Sequence, residues 1–231
     1  MAEPSRETLL DVVIDKLQKS GKNTIISRII LVGRYVRREQ SIDYHKAFYS
    51  KLVDKHSQEG EITGLLLCYP SCMVHLLEAK TSVLMHLLRD LEAAGQAETR
   101  LAEARVVAST EDIPVRCFSA WYAGWVSTAG SAETMDAVDS TTIVKTASEL
   151  NSFMRKIGPS LVGLSDSDLA RRLATMESYH EDTPAAELVL SLVPAEDAPT
   201  LEEYMSIFDT PLNVDLDSEQ TWPMPRPLQA V

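Results

Sequence analysis

Glycine is scarce, nine in 231 residues, which leaves little room for the Gly-rich loop that cradles a nucleotide phosphate. Cysteine is scarcer. Cys68, Cys72 and Cys117 are odd in number and unpatterned, which excludes a disulfide framework and fits free thiols in a reducing compartment. No apolar run is long enough to cross a bilayer: the longest, such as Ile62 to Tyr69, break off within about eight residues. Met1 to Arg6 is polar with mixed charge, unlike a secretory leader, so the expectation is a soluble, intracellular protein. Positive charge is also short, with 22 Lys and Arg against 34 Asp and Glu and a net charge of -12. Without clustered bases, nucleic acid and anionic lipid are poor partners.

The acids are concentrated. After Arg172 there are twelve acids and one base, Arg226, so residues 1 to 172 are close to neutral. Such a tail either stays solvated or faces a basic protein surface. With 45% hydrophobic residues the chain can fill one sizeable core plus extensions. Leu9, Leu10, Val13, Ile14 and Leu17 recur at helical spacing, predicting an amphipathic helix over 5–20 that either docks on a partner or folds back on its own core. A β-branched strand over Ser27 to Gly33 follows, then a helix from Ser41 to Ser57. Next come a hairpin (Ile62 to Tyr69, turn at Pro70-Ser71, Cys72 to Glu78), a helix over Ser82 to Ala94, and strands over Ala104 to Thr110 and Phe118 to Ser127. The order βαββαββ predicts an α+β, ferredoxin-like sheet with two helices on one face.

Helices are expected near Thr141 to Ile157, Ser165 to Ser178 and Pro184 to Val193, packed on the open sheet face, with Ser165–Asp168 and Thr183-Pro184 as start signals. From Pro194 the acid and proline content predicts an extended arm. Within it, Thr200 and Glu203 form a capping box, and Leu201, Tyr204, Met205 and Phe208 share one helical face, for a partner's groove or for the protein's own core. Trp222 is either an interface anchor or part of a free end. The resulting divisions are 1–24 (N-terminal helix), 25–127 (central domain), 128–193 (helical extension) and 194–231 (acidic arm).

A strand beginning at Arg28, a helix ending in His56, ITGLLL at 62–67, LLEA at 76–79 and RCFSAW at 116–121 together resemble the BLUF family of blue-light sensors, over roughly residues 25 to 127. The resemblance implies a flavin ring lying between the two helices, with a tyrosine, a glutamine, an asparagine and a tryptophan around it. At those positions stand Leu31, His75, Ser57 and Trp121, with Ala123 in place of a frequent methionine; only the tryptophan is kept. A first-strand register shifted by four would bring in Tyr35 instead. Losing two designed hydrogen-bond partners at about 2 kcal/mol each weakens flavin binding on the order of a thousandfold, and a leucine has no phenol to pass an electron or proton. The layout, with extensions on both sides of the core, also resembles the testis-expressed BLUF-like proteins of animals. That resemblance implies a place in sperm flagella or motile cilia.

The reading is therefore a BLUF-like interaction or scaffold protein, not an enzyme and without cofactor, whose partners are proteins of the axoneme contacted through Leu201, Tyr204, Met205, Phe208 and Trp222. A flavin-binding light sensor is the first alternative. The second is a small acylphosphatase-like hydrolase, for which Arg34, Arg37 and Arg38 are the anion-binding candidates. No metal site is expected, since Cys72 and His75, an odd number apart on a strand, point to opposite faces. Trp121 and Trp125, four apart, are expected to share a face turned toward the C-terminal helices.

Overall fold

The computed structural model describes residues 9–19, 21, 24–36, 42–127, 139–180 and 182–210. Helix α1 (Leu9–Lys19) precedes a core of β1 (Ile26–Tyr35), α2 (Ile42–His56), β2 (Thr63–Cys68), β3 (Cys72–Lys80), α3 (Thr81–Thr99), β4 (Leu101–Thr110) and β5 (Trp121–Trp125). The strands form one sheet in the order β4-β1-β3-β2-β5, antiparallel except for β5, which runs parallel to β2 at the edge. The first four strands thus have the ferredoxin-like arrangement expected from the sequence, with α2 and α3 on one face. Gly64 explains why the hairpin motif carries a glycine. Its φ is 150°, and a Cβ there would lie 2.0 Å from the Leu76 carbonyl oxygen.

Both faces are covered, so β1, β2 and β3 are hydrophobic almost throughout instead of alternating. Leu31, Leu66 and Leu77 pack toward α2 and α3. Ile30, Val32, Leu65, Leu67, Val74 and Leu76 pack on the opposite face against α4 (Ser140–Leu161) and α7 (Ala186–Ser191). Asp139 caps α4 by accepting from the Thr142 backbone N–H at 2.9 Å. One turn of α4 lies directly on the chain, since a Cβ at Gly158 would sit 1.9 Å from the Cys117 carbonyl oxygen.

Several elements depart from the sequence expectation. The helix expected over 165–178 is capped by Ser165 but breaks at Thr175 (φ -143°, ψ 59°) into α5 (Asp166–Ala174) and α6 (Met176–Tyr179). Helix α7 starts after Ala185, and Thr183 bonds back to the His180 carbonyl instead of capping it. Helix α3 runs past Ala94 and kinks at Gly95. The largest difference lies beyond Pro194. This segment is not an extended arm up to residue 208: the Val106 N–H donates to the Pro199 carbonyl at 2.9 Å and Thr200 bridges to Arg105 on β4. Helix α8 (Leu201–Phe208), held by the expected Thr200–Glu203 capping box, then folds onto α3 and β4. Its last turn is tied by a bidentate Arg89–Asp209 pair at 2.7 and 3.0 Å.

Candidate functional site

Strand register sets one row across the middle of the sheet. Leu31 pairs with His75, His75 with Leu66, and Leu66 with Ala123. All four face α2 and α3. The register therefore puts Leu31, and not Tyr35, beside His75, while Tyr35 lies at the strand end opposite Leu101. His75 is fully buried. Its Nε2 accepts a hydrogen bond from the Trp121 indole at 2.9 Å, and the Tyr49 ring stands edge-on to it at 4.9 Å. An acceptor Nε2 fixes the neutral tautomer with the proton on Nδ1. Burial lowers the His75 pKa to about 3.

Two further polar side chains from α2 line the same interface, and neither was singled out from the sequence. Tyr49 is fully buried, and burial pushes its phenol up. His45 stacks on Tyr35 at 4.1 Å; burial, then the Arg100 charge, lower it to about 4. Among the described residues, His75 Nδ1, the Tyr49 hydroxyl and both His45 ring nitrogens have no hydrogen-bond partner. The nearby Cys68 thiol is raised to about 12 by burial. Groups held this far from neutral pH are poor acid–base or nucleophilic catalysts.

The other sequence candidates fall elsewhere. Ser57 is exposed beyond the end of α2, and its hydroxyl donates to the Val53 carbonyl at 2.8 Å. Leu201, Tyr204 and Met205 are buried in the protein's own core, which removes them as partner contacts. A helical stripe looks the same whichever surface it covers. Phe208 remains exposed, and Trp222 lies outside the described residues. Arg34 sits at the end of β1 near Glu103, at 3.8 Å, and Arg37 and Arg38 lie outside the described residues. Trp121 and Trp125 do share a face, but it is turned toward α2 and α3, not the C-terminal helices. The parallel pairing of β5 with β2 decides this, and no local pattern reports it. Cys72 and His75 lie on opposite faces, as expected.

The matching motif residues have a structural role. The Glu78 carboxylate, fully buried in the LLEA strand, pairs with Arg28 at 2.6 Å and accepts from the Thr63 hydroxyl and the Cys117 backbone N–H, each at 3.0 Å. Arg116 donates to the Glu78 carbonyl at 2.6 Å and to Thr63 at 3.0 Å. One charged node thus fastens the RCFSAW segment to the hairpin.

The family model of testis-expressed protein 47 matches residues 25–210, most of the chain. The chain belongs to that family. Among solved structures it is similar to the BLUF domain of BlrP1, at 16% identity and a TM-score of 0.36, over 44% of this chain and 65% of that one. It is similar to the ground state of BlsA, at 16% and 0.37, over 64% and 87%. A bacterial light-regulated adenylyl cyclase also matches at 16% and 0.37, over 57% of this chain and 35% of that one. The chain therefore spans just under two thirds of the BlrP1 domain and about a third of the cyclase.

A flavin requires a cleft reaching the sheet at the Leu31–His75 row. The groove between α2 and α3 has a volume of about 450 Å³ and is lined by Phe48, Lys51, Leu52, Lys55, Asp90, Ala93 and Ala94. None of Leu31, His75 and Trp121 lines it. The His75 acceptor is already taken by Trp121, and Leu31 offers no polar atom. The polar atoms left without a partner at His75, Tyr49 and His45 are buried, and none of these residues lines the groove, so the groove does not present them to the polar edge of a flavin.

Proposed function

We propose that this protein is a BLUF-like fold without photochemistry, working as an interaction or scaffold component and catalysing no reaction. The observation that carries the reading is the Leu31–His75 pair with the Trp121 indole bonded to His75, where the protein's own side chains fill the place at which a sensor needs a phenol and an amide against a ring. The partners are proteins, with a basic surface facing the acidic C-terminal region. The family's testis-expressed description supports a sperm setting, in the flagellar axoneme or related motile cilia. For the contact surface, α1 is the better candidate now that α8 is packed. Leu9, Val13 and Ile14 are exposed on it, Leu9 at 81%, and apolar side chains grouped on one exposed helix face mark interaction surfaces.

Two measurements test this. The purified protein is expected to stay colourless after incubation with flavin nucleotides, in darkness and under blue light; a reversible red shift under light would return it to the sensors. Detergent-extracted sperm or ciliated cells are expected to retain the tagged chain on the axoneme. The L9E/I14E variant, with an unchanged melting temperature, is expected to wash out. Wash-out of the parent chain, or equal retention of the variant, would remove the scaffold reading.

A further inference from the structure

We propose that His56, Glu59 and His86 form a binding site for a divalent transition-metal ion of the zinc class. Helix α2 ends at His56, and the turn that follows, closed by the Glu59 N–H donating to the His56 carbonyl at 3.0 Å, brings Glu59 back beside it. His86 and Asp90, four apart on α3, reach the same place from the neighbouring helix. The Glu59 carboxylate lies between two imidazoles, 2.9 Å from His56 Nδ1 and 2.5 Å from His86 Nδ1. The ligand atoms of these three residues all lie within 4.8 Å of one another.

His56 gives the stronger indication. Its ring is buried, and a carboxylate meets each of its nitrogens, Glu59 at Nδ1 and Asp90 at Nε2, 2.7 Å away. A neutral imidazole has one donor and one acceptor, so between two carboxylates one contact sets acceptor against acceptor. The arrangement calls for a positive charge on the Nδ1 side, from a second proton or from a metal ion. The Nε2–H of His56 donating to Asp90 is the carboxylate–histidine–metal pattern, which orients the ring and strengthens the ligand nitrogen. Asp90 is itself fixed by Lys55 at 2.5 Å.

Zinc bound at about 2.0–2.1 Å in a tetrahedral shell spaces its ligand atoms about 3.3 Å apart. To reach that spacing the Glu59 oxygens draw back from the two imidazoles by about 0.4 and 0.8 Å while the ligand atoms farthest apart, within 4.8 Å, close in, movements open to the His86 and Glu59 side chains, which are 44% and 42% exposed. Two imidazoles select against calcium and magnesium, which take oxygen ligands. Three protein ligands leave the fourth position to water. The bound ion would join the end of α2 to α3 beside the groove that Lys55 and Asp90 line.

The test uses the full-length, tag-free chain, freed of metal by a chelator and then by buffer exchange. Titration with zinc chloride in a calorimeter is expected to show one ion per chain, with a dissociation constant on the order of micromolar or tighter. Cobalt(II) is expected to give the absorption of a four-coordinate nitrogen–oxygen site. H86A, at a half-exposed position, is expected to fold and to bind at least about 100-fold more weakly, and D90N about 10- to 100-fold more weakly. H180A and C117S are expected to bind as the parent does. No heat with zinc, equal affinity in H86A, or an intense thiolate-to-cobalt band would overturn the site.

Discussion

His45 and His75 make the fold sensitive to acid. In the unfolded chain both titrate near 6.5; in the native state they are held down to about 4 and about 3. Above pH ~6.5 both states are neutral at these positions and the full contribution is present. Below it, the unfolded chain takes up protons that the native state refuses. Stability then falls by about 1.4 kcal/mol per pH unit for each imidazole, until the folded pKa is passed. Urea midpoints at pH 7, 6 and 5 are expected to show this slope, and H45F, which keeps an aromatic ring on Tyr35, to lose the His45 share. An unchanged slope in H45F would mean that His45 charges freely in the fold. Glu78 makes a second residue-scale prediction. Removing its carboxylate strands the buried Arg28 guanidinium, and E78A is expected to cost about 3–5 kcal/mol in chemical denaturation at pH 7.

Among the elements, the 62–80 hairpin was legible because two apolar runs flank a Pro-Ser turn, and α8 because its capping box is local. What α8 covers was not legible, because Leu201, Tyr204 and Met205 repeat at helical spacing whether they fill this core or another. The site residues divide in the same way. His75 and Trp121 stood out within motifs, but their hydrogen bond depends on β5 returning parallel to β2, which is a long-range pairing. His56 and His86 lie thirty residues apart and belong to no motif; only the packing of α2 against α3 joins them. Helix α4 shows the same dependence on a distant contact. Gly158 lets α4 lie on the Cys117 backbone, and a methyl group there has no room. G158A is expected to cost at least about 3 kcal/mol and to lower the melting temperature steeply, although alanine is the better helix former. A stabilised G158A would show that α4 does not rest on this loop.

At the scale of the molecule, one sheet carries two cores, α2, α3 and α8 on one side and α4 and α7 on the other. The near-neutral body and the acidic C-terminal region were legible from composition. The dependence of the body on residues 194–208 was not, since the apolar stripe of Leu201, Tyr204 and Met205 in that acidic segment suits a partner's groove as well as this core. It does more than cover α3. Pro199 and Thr200 pair with the middle of β4 at Val106 and Arg105, and the Arg105 side chain reaches across to the carbonyls of Val193 and Ala198.

A strand with its outer backbone groups free is a template on which another chain can add, and proteins seldom leave one bare. A chain cut after Val193 would uncover β4 together with the apolar flank of α3. It is expected to run as a high-mass species in light scattering, whereas a cut after Thr210 is expected to scatter as the full-length chain does. Monodisperse behaviour of the shorter form would show that β4 guards its own edge. High-mass scattering by the shorter form alone would assign to the segment from Pro194 to Phe208 the part of a guard against self-association, removable by proteolysis.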